Sequence, residues 1–199
     1  MLPISKVHAH KTSAIPFFAF SAYITGNDEV YVFDLVNQRP INVTNDPASD
    51  IFGGWSPDGQ SIAFTSDRDG NQEVYLISLV GYDLVNLTET SRNDVFSSWS
   101  PEGDWIAYVS NFAQNRDAFP NFEIMKINIS TRDMFRLTFN PNGDVDAQWS
   151  SDGQYISFLS QIGQEQSIFL ITNDGKHVIN LTGNAGGDFS ASWSPDGGK

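Results

Sequence analysis

Four aspartates stand in one phase with four tryptophans. Asp50, Asp94, Asp144 and Asp188 each lie five residues before Trp55, Trp99, Trp149 and Trp193. Like charges held close together favour a counter-ion, so four carboxylates gathered about one axis would hold a cation such as calcium, or a cationic ligand. Held apart, each would instead accept N–H groups where a loop enters a strand. Histidine offers less. His8 and His10 form a pair in a polar N-terminal stretch, His177 stands alone, and two histidines do not complete a tetrahedral site. Asp67-Arg68-Asp69-Gly70-Asn71 is rich in oxygen ligands, but it lacks the bidentate glutamate of a calcium loop and no other unit repeats it. It reads as a hairpin turn. There is no Gly-x-Ser-x-Gly elbow. The residues nominate no catalytic set and no metal-binding histidine cluster.

The aspartates belong to a repeat that must position them. Trp55-Ser56-Pro57-Asp58-Gly59 returns as Trp99-Ser100-Pro101-Glu102-Gly103, as Trp149-Ser150-Ser151-Asp152-Gly153 and as Trp193-Ser194-Pro195-Asp196-Gly197. The steps between tryptophans are 44, 50 and 44 residues. Val43-Thr44, Leu87-Thr88, Leu137-Thr138 and Leu181-Thr182 keep the same time, each threonine 11 residues before a tryptophan. A period of this length marks a stacked supersecondary unit. Within it, Ser61-Ile62-Ala63-Phe64-Thr65-Ser66 and its copies alternate like a pleated strand, as do Glu73-Val74-Tyr75-Leu76-Ile77 and its copies. Pro and Gly in the tryptophan motif suit the two corners of a tight turn. Each unit therefore has four short strands: A with the tryptophan, B with Ile-Ala-Phe, C with Glu-Val-Tyr, and D ending in the Leu-Thr pair. Helical periodicity is absent.

Composition narrows the function. The chain has 199 residues, a net charge of −13 and only 11 basic residues, which argues against nucleic-acid binding through phosphates. It has no cysteine, so disulfides and thiolate zinc sites are excluded. No apolar run is long enough to span a bilayer. Residues 1–16 read as a flexible polar leader without the apolar stretch of a signal peptide, and 17–199 as the repeat array. The triplets beginning at Asn42, Asn86, Asn128 and Asn180 fit the glycosylation acceptor, but three of them only restate the Leu-Thr marker.

These motifs closely resemble the TolB-type, WD40-like β-propeller repeat, whose pattern Asp-x-x-x-x-Trp-Ser-Pro-Asp-Gly-x-x-Ile-Ala-Phe is met almost letter for letter by Asp50 to Phe64. The resemblance runs from about residue 17 to residue 197. It implies an all-β propeller with four four-stranded blades in this chain. Because the chain starts at strand B and stops after strand A, the C-terminal strand (Ser190–Ser194) is expected to pair with the N-terminal one (Phe17–Ala22). That pairing can close a four-bladed ring in one chain or an eight-bladed ring in a homodimer; a piece of a longer propeller is the third reading. In propeller topology strand A is innermost, so the four aspartates should ring one mouth of the channel.

The same face should carry the B–C loops. Unit three has six extra residues there, between Asn111 and Phe122, including Phe112, Arg116 and Phe119. Aromatic and arginine side chains on loops of a rigid scaffold are common binding anchors. Alternatively the two phenylalanines tuck back onto neighbouring blades. The resemblance implies a non-enzymatic scaffold for a protein or peptide partner, in the periplasm or elsewhere outside the cytoplasm, although a cytoplasmic site also fits a chain without a signal peptide. The expected binding residues are Phe112, Arg116, Phe119, Asp50, Asp94, Asp144 and Asp188, with no cofactor beyond a calcium ion at the channel mouth. The rival reading is a lyase or hydrolase that uses the carboxylate ring to hold a metal.

Overall fold

A computed structural model describes residues 17–24, 26–112, 121–163, 165–183 and 187–195. The leader 1–16 and the loop residues Arg116 and Phe119 lie outside them. The described residues form four antiparallel sheets. The first holds β1 (Phe17–Tyr23), β2 (Asp28–Asp34) and β3 (Arg39–Asn42). The second holds β4 (Asp50–Trp55), β5 (Ser61–Ser66), β6 (Glu73–Ser78) and β7 (Leu84–Asn86). The third holds β8 (Asp94–Trp99), β9 (Trp105–Asn111), β10 (Phe122–Asn128) and β11 (Met134–Arg136), and the fourth β12 (Asp144–Trp149), β13 (Tyr155–Ile162), β14 (Glu165–Thr172) and β15 (Val178–Asn180). Each four-stranded sheet is a meander in sequence order, as the A–B–C–D reading requires.

The tryptophan motif makes the A–B corner because its own side chains satisfy the turn. The Ser56 amide donates to the Ser61 carbonyl at 2.9 Å, and the Gly59 amide to the Ser56 carbonyl at 2.8 Å. The Ser56 hydroxyl donates to Asp58 Oδ1 at 2.6 Å and accepts from the Ser61 amide at 2.9 Å. Gly59 sits at φ +70°, where a side chain would be strained. Ser150, Asp152 and Gly153 repeat the arrangement.

No sheet has a core of its own. The apolar clusters lie between sheets, where Val30, Val43, Ile62 and Phe64 join the first to the second. Ala63, Val74, Ile106 and Met125 join the second to the third, and Val109, Leu137, Ile156 and Phe158 the third to the fourth. Stacking is what removes both faces of each sheet from water. Registered aromatic pairs stiffen strands B and C: Phe20 on Tyr31, Phe64 on Tyr75 and Phe158 on Phe169, with ring centroids 5.8, 5.7 and 5.5 Å apart.

Strand A carries a bulge in each four-stranded sheet, between Phe52 and Gly54, Phe96 and Ser98, and Val145 and Gln148. It also reaches across to the sheet before it. Trp99 Nε1 donates to the Gly54 carbonyl at 3.1 Å, and the Trp149 amide to Ser98 Oγ at 3.0 Å.

The expected clasp does not form within the chain. Among the described residues β1 pairs only with β2, the first sheet has three strands, and 187–195 contain no strand. The C-terminal segment is held elsewhere. Trp193 Nε1 donates to the Gln148 carbonyl and to Ser157 Oγ, both at 3.0 Å, and Ser151 Oγ donates to the Ser194 carbonyl at 2.5 Å. These bonds put Ser190–Ser194 where a following sheet's inner strand would lie, on the far side of the stack from β1. Ordered sheets pack face to face at roughly 30°, and four of them do not bring the last back to the first.

The close approach of inner strands yields a test. A Cβ on Gly53 would stand 2.3 Å from the Phe96 ring and 2.8 Å from the Ala63 carbonyl oxygen. Gly53→Ala is expected to lower stability by about 1–3 kcal/mol, as overpacking does, read by urea unfolding. Phe96→Leu in the same chain should recover part of the loss.

Candidate functional site

The four phased aspartates do not converge. Asp50, Asp94 and Asp144 are each fully buried, and each sits at a different inter-sheet junction. Each begins strand A and lies opposite a strand-B serine: Asp50 with Ser66, Asp94 with Ser110, Asp144 with Ser160. The groups that satisfy them are side chains more than backbone amides. Thr90 Oγ1 donates to Asp94 Oδ2 at 2.8 Å, and Asn140 Nδ2 to Asp144 Oδ2 at 2.7 Å. Arg68 Nη2 reaches both oxygens of Asp50 at 3.0 Å. Asp188 accepts from Thr182 Oγ1 beyond the fourth sheet.

A second carboxylate at three of the junctions escapes a sequence reading. Glu29, Glu73 and Glu123 open strand C and are buried. The marker threonine of strand D bonds to each: Thr44 Oγ1 to Glu29 at 2.6 Å, Thr88 Oγ1 to Glu73, and Thr138 Oγ1 to Glu123 at 2.6 Å. The same hydroxyls accept the amides of Val30, Val74 and Ile124 at 3.1, 3.1 and 2.9 Å. The legible signal was there: each glutamate stands 15 residues before its threonine, and Ser167 holds that place in the fourth unit. The asparagines of the glycosylation triplets have a local task as well. Asn42, Asn86 and Asn180 each accept the amide two residues on through Oδ1, at 3.2 Å.

Charge balance differs among the junctions. The first holds Arg68, the third holds Arg136, whose Nη2 is 2.6 Å from Glu123 Oε1. Among the described residues Asp94 has no such ion pair, and burial pushes its carboxyl up to about 6. Ser110 and Thr90 draw it back down, while the charge of Glu73 raises it further and that of Arg92 lowers it. Burial also raises Asp50 and Asp144, against hydrogen bonds from Ser66 and Ser160 respectively.

On the same end of the stack, the B–C and D–A loops and the end of β11 build a row of alternating cations and rings. Arg92 Cζ lies 4.3 Å and Arg136 Cζ 4.2 Å from the centroid of Phe112, and Arg136 Cζ lies 4.6 Å from that of Phe139. Phe112 is half-buried between the guanidinia and packs on the core between sheets two and three. Phe139 is 72% exposed. Phe112 thus tucks back and still takes part in a surface row, and its neighbours are Arg92 and Phe139 from D–A loops and Arg136 from the end of β11, positions that the spacing of the repeat does not single out. Asp67-Arg68-Asp69-Gly70-Asn71 is a turn, closed by the Gly70 amide on the Asp67 carbonyl at 2.9 Å. Among the described residues no three His, Asp or Glu side chains are grouped to hold a metal ion.

Radially stacked antiparallel sheets, with inner strands anchored by tryptophan on the preceding sheet, define a propeller repeat domain. Residues 16–195 match the TolB beta propeller domain, and the chain belongs to that family. A structure described as TolB from Agrobacterium tumefaciens superposes with a TM-score of 0.76 at 24% identity, over 91% of this chain and 67% of that one. TolB from Acinetobacter baumannii gives 0.70 at 24%, over 86% and 41%. Oligogalacturonate lyase from Vibrio parahaemolyticus gives 0.64 at 13%, over 82% and 48%. At these identities the likeness is one of fold. This chain therefore spans about two-thirds of the first and less than half of the other two. No match was found among curated proteins.

The uncompensated carboxyl sets a pH dependence. A folded-state value raised from 3.8 to about 6 means that the folded protein binds a proton more tightly than the unfolded chain. The contribution of Asp94 is therefore best below about pH 4 and is lost as pH rises through 6, by at most about 3 kcal/mol. Asp94→Asn should lack this slope. Its stability relative to the native chain is expected to improve steadily from pH 4 to 7, measured by urea unfolding across that range.

Proposed function

We propose that this domain is a non-enzymatic scaffold that holds a protein or peptide partner on the face built by its B–C and D–A loops, and that it works outside the cytoplasm, in the periplasm. Membership of the TolB propeller family supports a binding scaffold. The observation that carries the choice of face is the Arg92–Phe112–Arg136–Phe139 row. Arginine and large aromatics are the residues that most often dominate binding energy. Here they are already stacked on one another, so little side-chain entropy remains to be lost when a partner arrives. Arg116 and Phe119 belong to the same loop as Phe112 and extend the face in this reading. The buried aspartates shape it from beneath.

The rival reading, a metal-assisted lyase or hydrolase, needs the aspartates gathered, and Asp50, Asp94 and Asp144 occupy three separate junctions. A calcium ion at the channel mouth has no part in the binding reading. Capture of partners from a cell-envelope extract tests both. Arg92→Ala with Phe139→Ala is expected to reduce capture about tenfold or more, while Val80→Ala with Tyr82→Ala, exposed in a C–D turn, leaves it unchanged. Chelation of calcium should change neither. Equal capture by both pairs of variants overturns the face.

A second copy can supply what the clasp lacks within one chain, pairing its Ser190–Ser194 with β1. Light scattering at micromolar concentration reads this directly: twice the 22.0 kDa chain mass supports the homodimer, and the chain mass alone removes it.

A further inference from the structure

The repeat supplies its own comparison for an unfilled pocket. Two residues beyond the strand-B serine, the three complete sheets carry Arg68, Phe112 and Ile162. At the first junction Arg68 covers an aromatic pair. Its Cζ lies 4.9 Å from the Tyr75 centroid and 5.5 Å from that of Phe64. The guanidinium meets Asp50 through Nη2 and Ser66 Oγ through Nε at 2.9 Å.

The third junction repeats the ring pair, the aspartate and the serine of that receptor without the guanidinium, and Asp46, whose Oδ2 lies 3.9 Å from Arg68 Nη1, gives way to Asn140. Phe158 and Phe169 replace Phe64 and Tyr75, with nearly the same stack, 5.5 Å and 23° against 5.7 Å and 26°. Asp144 replaces Asp50 and Ser160 replaces Ser66. The B–C segments have equal length but fold differently. In the second sheet the ladder stops at Ser66 and Glu73, and the free loop turns Arg68 back over the rings. In the fourth the ladder continues to Ile162 opposite Glu165, so Ile162 is fixed in the strand. What remains is an open pocket of about 490 Å³, lined by Phe139, Phe158, Ser160, Ile162, Phe169 and Val178 among others.

Behind two of its lining residues, Ser160 and Asn140, lies an unmet acceptor. Asp144 is fully buried, and although Ser160 lies beside it, its Oδ1 receives no well-formed hydrogen bond. Asn140, which bonds to Oδ2, also lines the pocket. Arg136 is already engaged with Glu123 and the Thr138 carbonyl, and it stacks on Phe139, so it does not neutralise Asp144 directly.

We propose that this pocket receives an arginine side chain from a bound protein segment, its guanidinium taking the place that Arg68 takes at the first junction. It would lie over Phe169 and Phe158, with Phe139 as a wall, and reach Asp144 and Ser160 once the Asn140 amide turns aside. A planar guanidinium suits both tasks, stacking on a ring and pairing with a carboxylate, in a way a lysine ammonium does not. The net charge of −13 favours a basic partner. The proposal rests on the partner-binding reading above and specifies what the partner presents.

The test is an amide-resolved NMR titration of the whole chain with acetyl-Gly-Arg-Gly-amide, beside the same peptide carrying citrulline. The arginine peptide is expected to shift the amides of Phe158, Ser160, Ile162 and Phe169 at millimolar concentration, and citrulline, which keeps the shape and loses the charge, to bind about tenfold more weakly or worse. Ile162→Arg should fill the pocket from within and abolish the shifts. Phe139→Ala, a change at an exposed side chain that leaves the fold intact, should weaken them. No localised shift with the arginine peptide, equal binding of citrulline, or shifts that persist in a folded Ile162→Arg chain overturns the proposal. If arginine fails here while the Arg92 and Phe139 variants still lose partner capture, the pocket is wrong and the face stands. If arginine binds here while capture is indifferent to those variants, the pocket stands and the wider face is wrong.

Discussion

The structure depends on burying carboxylates between sheets and meeting most of their oxygens with side-chain and backbone donors. Three of its junctions each take a strand-C glutamate and a strand-A aspartate out of water. An isolated buried carboxylate is strongly unfavourable. The marker threonine resolves much of this, because one hydroxyl accepts a strand-C amide and donates to a glutamate in the same sheet, while its loop delivers the aspartate of the next. Apolar contact can slide; a hydroxyl held between a fixed amide donor and a fixed carboxylate acceptor cannot. The polar set therefore fixes the register of one sheet on the next, and the Val, Ile and Phe clusters supply the adhesion.

That division of labour places the variable chemistry. Strands A, B and C are constrained on both faces, so substitutions there are paid for in packing. The B–C exit is the first position beyond the polar set where the chain is free of both constraints. It is where Arg68, Phe112 and Ile162 diverge, and where each junction acquires its own character: an ion pair over two rings, a ring between two guanidinia, and an open apolar pocket. Function in such an array need not come from a new element. It can come from one junction left incomplete where its neighbours are complete.

Much of this was legible in the residues. The tryptophan and threonine markers located all three A–B–C–D meanders, because a tight turn and a capped strand end need those residue types at those distances. The strand pairs followed from alternation. What the residues withheld were relations across the repeat boundary. The aspartates looked like a set because they share a phase, yet a shared phase only says that each does the same thing at its own junction. For Phe112 the residues left open whether it stands out on its long loop or tucks back; its cover comes from Arg92 in a D–A loop and Arg136 at the end of β11. The expected clasp between Ser190–Ser194 and Phe17–Ala22 does not form within one chain, which was one of the two closures that the residues allowed, the other being between two chains. Trp193 instead repeats on the fourth sheet the bond that Trp99 makes on the second, while Trp149 between them is held on the third through its backbone amide.

That local rule bears on why the third junction matters more than the others. Every junction inherits the same buried aspartate, because the register of the sheets requires it. A junction in which no internal cation pairs with that aspartate therefore keeps a carboxyl whose charge is poorly compensated, and the fold cannot remove it without losing the contact that positions strand A. At the second junction Phe112 packs on the apolar core and burial raises the carboxyl of Asp94, so a proton relieves part of the imbalance. At the third junction the cover is absent and the rings that would flank a cation are already stacked in place. The same structural demand thus has two outcomes, a buried group that titrates and an open group that can be met from outside, and only the conformation of one short B–C hairpin separates them.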